Sequence, residues 1–142
     1  MSKPLYETAI DIKNQERMKR RLEVAMDAIL IRTLQLCMTD YVTIQHYKLI
    51  SLVEIKVRTI SSSEYNTYML SKYKADACVK AAQFFRVPFI LAVEWTDKSG
   101  YVTVRNDLSY HVSNKKITLQ TEIGKVATEP CIHIPINQFI IL

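Results

Sequence analysis

The sequence predicts a mixed α/β fold, with a central sheet flanked by helices and a β extension at the C-terminal end. Three observations predict it. Apolar residues near the start recur at helical spacing. A nearly continuous apolar run at 49–57 (LISLVEIKV) reads as a strand buried on both faces. A second helical stretch then leads into another apolar run, 89–95 (FILAVEW), over a connection long enough for a parallel crossover.

Residues 5–30 read as the first helix, with Met18, Leu22, Ala25, Met26 and Ile29 as its core stripe. Arg17, Lys19, Arg20 and Arg21 cluster in mid-helix, and Glu16 and Glu23 share one face. Taken alone, these charges describe a solvated helix surface. Residues 31–37 (IRTLQLC) alternate and read as the first strand. The second opens at Asp40, where Val42, Ile44 and His46 alternate with Thr43 and Gln45; Tyr47 and Lys48 form the bend into the third. Residues 59–66 (TISSSEYN) are polar and Ser-rich, either a mobile loop that contacts substrate or a plain connection. Residues 67–85 read as the second helix, burying Leu70, Tyr73, Ala77, Cys78, Ala81, Phe84 and Phe85. Ser71 and Lys74 fall near its N-terminal end, where backbone N–H groups favour anions. Residues 89–95 form the fourth strand and 101–105 pair back as a fifth. Beyond Asn106 the pattern weakens. Segments 117–120 and 131–136 read as short edge strands, because Pro130 and Pro135 argue against central positions.

A chain of 142 residues is expected to form one domain, here a core over about residues 5–105 and an extension over 106–142. The formal net charge of +5 favours an anionic partner, nucleic acid being the usual one. Cys37, Cys78 and Cys131 are odd in number, far apart and set among apolar residues, which predicts buried free thiols in a reducing compartment. His46, His111 and His133 show no zinc-ligand spacing. Two glycines exclude phosphate-cradling glycine loops, and no Gly-x-Ser-x-Gly elbow occurs. The charged N-terminal stretch does not read as a signal peptide and no apolar run approaches a membrane span, so a cytoplasmic location is expected.

Glu54 and Lys56 break the apolar third strand. Two apart, they point to one face. A carboxylate and an ammonium in such a strand cost desolvation energy, which is tolerated where a metal site or catalytic pair is gained. Asp40 reaches the same end of the hairpin. The bland alternative is a cross-strand ion pair on a solvated edge.

Asp40 opening the second strand and Glu54-Ile55-Lys56 on the third resemble the PD-(D/E)XK nuclease superfamily, the fold of many restriction enzymes and Holliday-junction resolvases. Residues 68–74 (YMLSKYK) and the stretch VPFILAVEWTDKSGYV resemble small phage-encoded members. Thr39 stands where the motif's name has proline. The resemblance implies an αβββαβ restriction-endonuclease-like core over about residues 5–105. It also implies a first-helix glutamate, for which Glu16 and Glu23 are candidates and Glu16, within NQER, is the closer match. The implied activity is hydrolysis of DNA by a Mg²⁺- or Mn²⁺-dependent endonuclease, structure-selective or junction-resolving. Asp40, Glu54, the Ile55 carbonyl and Glu16 would hold the metal. Lys56 would act on the water and the developing charge, and Arg58, Ser71 and Lys74 would contact phosphate. Small enzymes of this type are often homodimers. Two rival readings stand beside it: an inactive nucleic-acid-binding or virion module on the same fold, and an unrelated α/β interaction protein.

Overall fold

The computed structural model describes residues 9–33, 39–106, 110–118 and 126–142. Helix α1 (Ala9–Met26) buries Met18 and Leu22. It stops before Leu30 because Asp27 turns into the left-handed region, φ 49°. The Glu23 carboxylate then accepts the Leu30 N–H at 3.0 Å, fixing the entry to β1 (Ile29–Arg32). The first strand therefore precedes the expected 31–37; residues 34–38, Cys37 among them, lie outside the described residues.

Strands β2 (Tyr41–Gln45) and β3 (Lys48–Val57) complete an antiparallel meander with β1. His46 and Tyr47, at φ 49° and 64°, make the turn, so Lys48 belongs to β3 and not to the bend. The chain continues through β4 (Thr67–Ser71), α2 (Lys72–Phe85), β5 (Phe89–Glu94), β6 (Ser99–Val104), β7 (His111–Thr118) and β8 (Val126–Pro135). A single 3₁₀ turn then leads to β9 (Ile140–Ile141). Six strands form a mixed sheet in the order β1-β2-β3-β5-β6-β9, parallel only between β3 and β5. The expected mixed sheet flanked by helices is present.

Helix α2 buries Ala75, Cys78, Val79 and Ala82, whereas Tyr73, Phe84 and Phe85, expected on its buried face, are exposed. Two further expectations fail. Residues 67–71 are a strand, not the first turns of the second helix. They pair with β8, and Ser71 ends the strand by capping α2, its hydroxyl accepting the Lys74 N–H at 3.4 Å. Strand β8 is the centre of a second sheet, β4-β8-β7, not an edge. Each proline in it sits where only one neighbour runs alongside. Pro130 faces Asn114 of β7 but lies beyond the last β4 pair, Ser71–Cys131. Pro135 faces Thr67 of β4 but lies beyond the last β7 pair, His111–His133. Each missing N–H is thus lost at a locally open edge.

The Ser-rich connection is pinned. Asp97 accepts from the Ser62 N–H at 2.7 Å and the Ser62 hydroxyl at 2.6 Å, and the Thr96 N–H bonds the Ile60 carbonyl. Those two Ser62 bonds hold the Asp97 carboxyl below its ordinary range.

The large sheet is covered on both faces. On one, Tyr41, Val53, Ile55, Ile90 and Ala92 pack with Met18 and Leu22 of α1. On the other, Leu52, Leu91 and Val93 pack with Ala75, Cys78 and Ala82 of α2 and with Tyr68, Leu70, Ile132 and Ile134 of the second sheet. Cys78 and Cys131 are buried and form no disulfide among the described residues; burial pushes the Cys78 thiol up to about 12. No helix among the described residues is long and apolar enough to cross a membrane.

Candidate active site

Alternation along β3 decides which side chains meet. Val53 and Ile55 face α1, so Leu52, Glu54 and Lys56 face α2. The β2–β3 register pairs Tyr41 with Val53, and one step further sets Asp40 opposite Glu54. Both carboxylates are buried, Asp40 at 3% exposure and Glu54 at 2%. Asp40 Oδ2 accepts the Ile55 N–H at 3.0 Å. On β3 the N–H groups of Leu52 and Arg58 bond to the β5 side. By alternation Ile55 turns its N–H and its carbonyl the other way, toward Asp40.

Two lysines close the cluster. Lys56 Nζ lies 3.2 Å from Glu54 Oε1 and Lys74 Nζ 3.3 Å from Glu54 Oε2. Lys74 arrives there because the Ser71 cap sets the phase of α2. Burial, then the Asp40 charge, raise the Glu54 carboxyl above its ordinary value; the two lysines pull against that shift. Burial alone would lower the Lys56 ammonium, but the charges of Glu54, Tyr68 and Asp40 outweigh it and the net shift is upward. Lys56 therefore stays charged, and at 38% side-chain exposure it stands at the mouth of the site.

A divalent cation fits this donor set. Two buried carboxylates and a backbone carbonyl are hard oxygens. Glu54 Oε2 is buried with no hydrogen-bond partner among the described residues, and the Lys74 ammonium stands 3.3 Å from it. No three His, Cys, Asp or Glu side chains converge among the described residues.

Neither first-helix glutamate joins the pair. α1 packs on the opposite face, where Glu16 accepts from the Tyr41 hydroxyl at 3.3 Å and pairs with Lys19 at 3.6 Å. Burial pushes that hydroxyl up to about 12, which keeps it protonated as a donor. Glu23 is spent on the Leu30 N–H. Arg58 lies over the Tyr68 ring, 5.0 Å from its centroid, and donates to its hydroxyl. Ser71 caps α2 and donates its hydroxyl to Glu129.

Sequence reading missed a third buried carboxylate. Glu94, at 11% side-chain exposure, is gripped by Arg17 and approached by Arg21 at 3.9 Å, so part of the mid-helix basic cluster reaches over to the sheet while staying half-exposed. The signal was there: Glu94 is the one charge in FILAVEW, and Arg17 and Arg21 are four apart on a helix.

No curated protein matches the chain. Among solved structures it is similar to the 1.6 Å structure of Archaeoglobus fulgidus Hjc, a Holliday junction resolvase from an archaeal hyperthermophile. That likeness has a TM-score of 0.58 at 15% identity and covers 91% of this chain and 92% of that one, which establishes a shared fold. A family model described as "Phage putative PDDEXK endonuclease" matches residues 1–142, the whole chain, and the protein belongs to that family.

Proposed function

We propose that the protein is a divalent-metal-dependent endonuclease that hydrolyses phosphodiester bonds in DNA, with branched DNA as its first candidate substrate. The observation that carries this is the facing pair Asp40 and Glu54 with Lys56 at 3.2 Å and at the mouth. The branched substrate is suggested by the fold shared with a Holliday junction resolvase.

Asp40, Glu54 and the Ile55 carbonyl would hold Mg²⁺ or Mn²⁺. When bound, such an ion supplies Lewis acidity toward a phosphate oxygen and lowers the pKa of water. Asp40 keeps its carboxylate in place through the Ile55 N–H. Lys56 brings an ammonium to the open side of the pair, where it orients the attacking water or offsets charge developing on the phosphate. Arg58, exposed beyond Lys56 and braced on Tyr68, contacts the backbone of the DNA. Glu16 stays outside this set, across the sheet. A homodimer belongs to the same reading: the edge strand β1 exposes Ile29 at 61% and Ile31 at 51%, an apolar strip suited to a symmetric contact.

The test is one incubation with supercoiled, linear, single-stranded and four-way-junction DNA, each with Mg²⁺, Mn²⁺ or EDTA. Cleavage only with metal, fastest on the junction, is expected. Binding without cleavage under every condition would favour the inactive module.

A further inference from the structure

Resting on that reading and deepening it, we propose that Lys74 is a movable counter-ion. It neutralises Glu54 while no divalent cation is present and transfers to a DNA phosphate when one enters.

The two lysines hold Glu54 differently. Lys56 engages Oε1, whereas Oε2 makes no hydrogen bond among the described residues although Lys74 Nζ stands 3.3 Å away. The Lys74 contact is therefore Coulombic and lacks the directional bond that would lock it. Charge balance gives the reason for it to leave. Among the described residues, the two acidic side chains Asp40 and Glu54 are set against the two ammonium groups of Lys56 and Lys74. A dication would add two positive charges beside both ammonium groups, and Lys74 stands at the Glu54 oxygen that makes no hydrogen bond among the described residues. Phosphodiesters supply the compensating anions. The backbone of Lys74 is fixed by its bond to the Ser71 cap, but a flexible four-carbon stem lets the ammonium move without the helix.

The consequence is linkage. A cation that frees Lys74 raises DNA affinity, and DNA that captures Lys74 raises cation affinity by the same factor. Calorimetric Mn²⁺ titration of the full chain and its Lys74→Met variant reads the first side. Binding of a short DNA duplex with Ca²⁺ or EDTA reads the second without depending on cleavage. Lys74→Met should bind Mn²⁺ about tenfold more tightly, within the ordinary range of coupling, and its metal-induced gain in DNA affinity should shrink by a like factor. Lys74→Arg should behave as wild type. Thermal melting checks each variant, and Lys74→Gln replaces Lys74→Met if the latter does not fold. Wild-type Mn²⁺ binding with unchanged or weaker binding in the neutral variant overturns the exchange while leaving the nuclease reading intact. A wild type that binds no Mn²⁺ removes both.

Discussion

Asp40 serves the fold through the Ile55 N–H and, in the proposed site, would also hold the metal; two substitutions separate the roles. Its Oδ2 accepts the Ile55 N–H at 3.0 Å, and Ile55 is fully buried. Strand β2 stops pairing at Tyr41, so in Asp40→Ala that N–H loses its acceptor at a strand end β2 does not cover. A buried donor left unsatisfied costs about 1–3 kcal/mol. Unfolding entropy near about 2.1 cal/mol/K per residue gives roughly 0.3 kcal/mol/K for this chain, so Tm should fall by roughly 3–10 °C. Asp40→Asn keeps an oxygen acceptor and removes the like charge that faces Glu54. Its Tm should stay within about 2 °C of wild type, since volume and hydrogen bond are retained. Both variants should lose Mn²⁺ affinity. Thermal melting by circular dichroism in EDTA, beside calorimetric Mn²⁺ titration, reads both effects. Equal destabilisation of the two variants would show that the charge, not the bond to Ile55, is what Asp40 gives the fold.

Other outcomes follow from the same geometry. Glu54 has a raised carboxyl, so its ionisation costs stability above the ordinary carboxylate range, and that stability returns as pH falls toward 4.5. In EDTA, Glu54→Gln should therefore melt at or above wild type at neutral pH, with the gap closing in acid; a lower Tm at neutral pH would contradict this. Asp97 is shifted the other way: its contribution is present above 3.8 and lost as pH falls through the depressed folded value. Asp97→Asn should lose less stability than wild type over that acid range, and parallel pH–Tm curves would remove Asp97 from the lock on Ser62. Arg58→Ala should weaken DNA binding and reduce its salt slope by about one counterion; an unchanged slope would make Arg58 a brace for Tyr68 alone.

What could be read in the sequence was what is local. Glu54 and Lys56 stand out because strand periodicity alone puts two charges on one face of an apolar run, and Asp40 falls at the adjoining strand start. The misread parts depend on distant partners. Residues 67–71 continue a helical pattern until β8, from the far end of the chain, pairs with them. The same error hid the role of Ser71, which belongs to a cap rather than a helix surface, and the aim of Lys74 at Glu54, which that cap sets. Pro130 and Pro135 mislead because an edge is defined by where the neighbouring strands end. Arg17 and Glu94, separated by 77 residues, carry no mark in either segment that names the other. Glu16 and Glu23 were open alternatives since both suit one helix face; which face meets which side of the sheet is a tertiary outcome.

In the proposed mechanism the Asp40–Glu54 pair holds the metal and Lys56 acts on the reacting phosphate. Plasmid nicking by wild type, Glu54→Gln and Lys56→Ala across a Mn²⁺ titration tests it most directly. Glu54→Gln should lose activity with weakened Mn²⁺ binding and regain part of it at high metal. Lys56→Ala should keep or tighten Mn²⁺ binding, since a cation beside the site is gone, yet stay inactive at every concentration. Full nicking by Lys56→Ala, or unchanged Mn²⁺ binding by Glu54→Gln, would contradict the account.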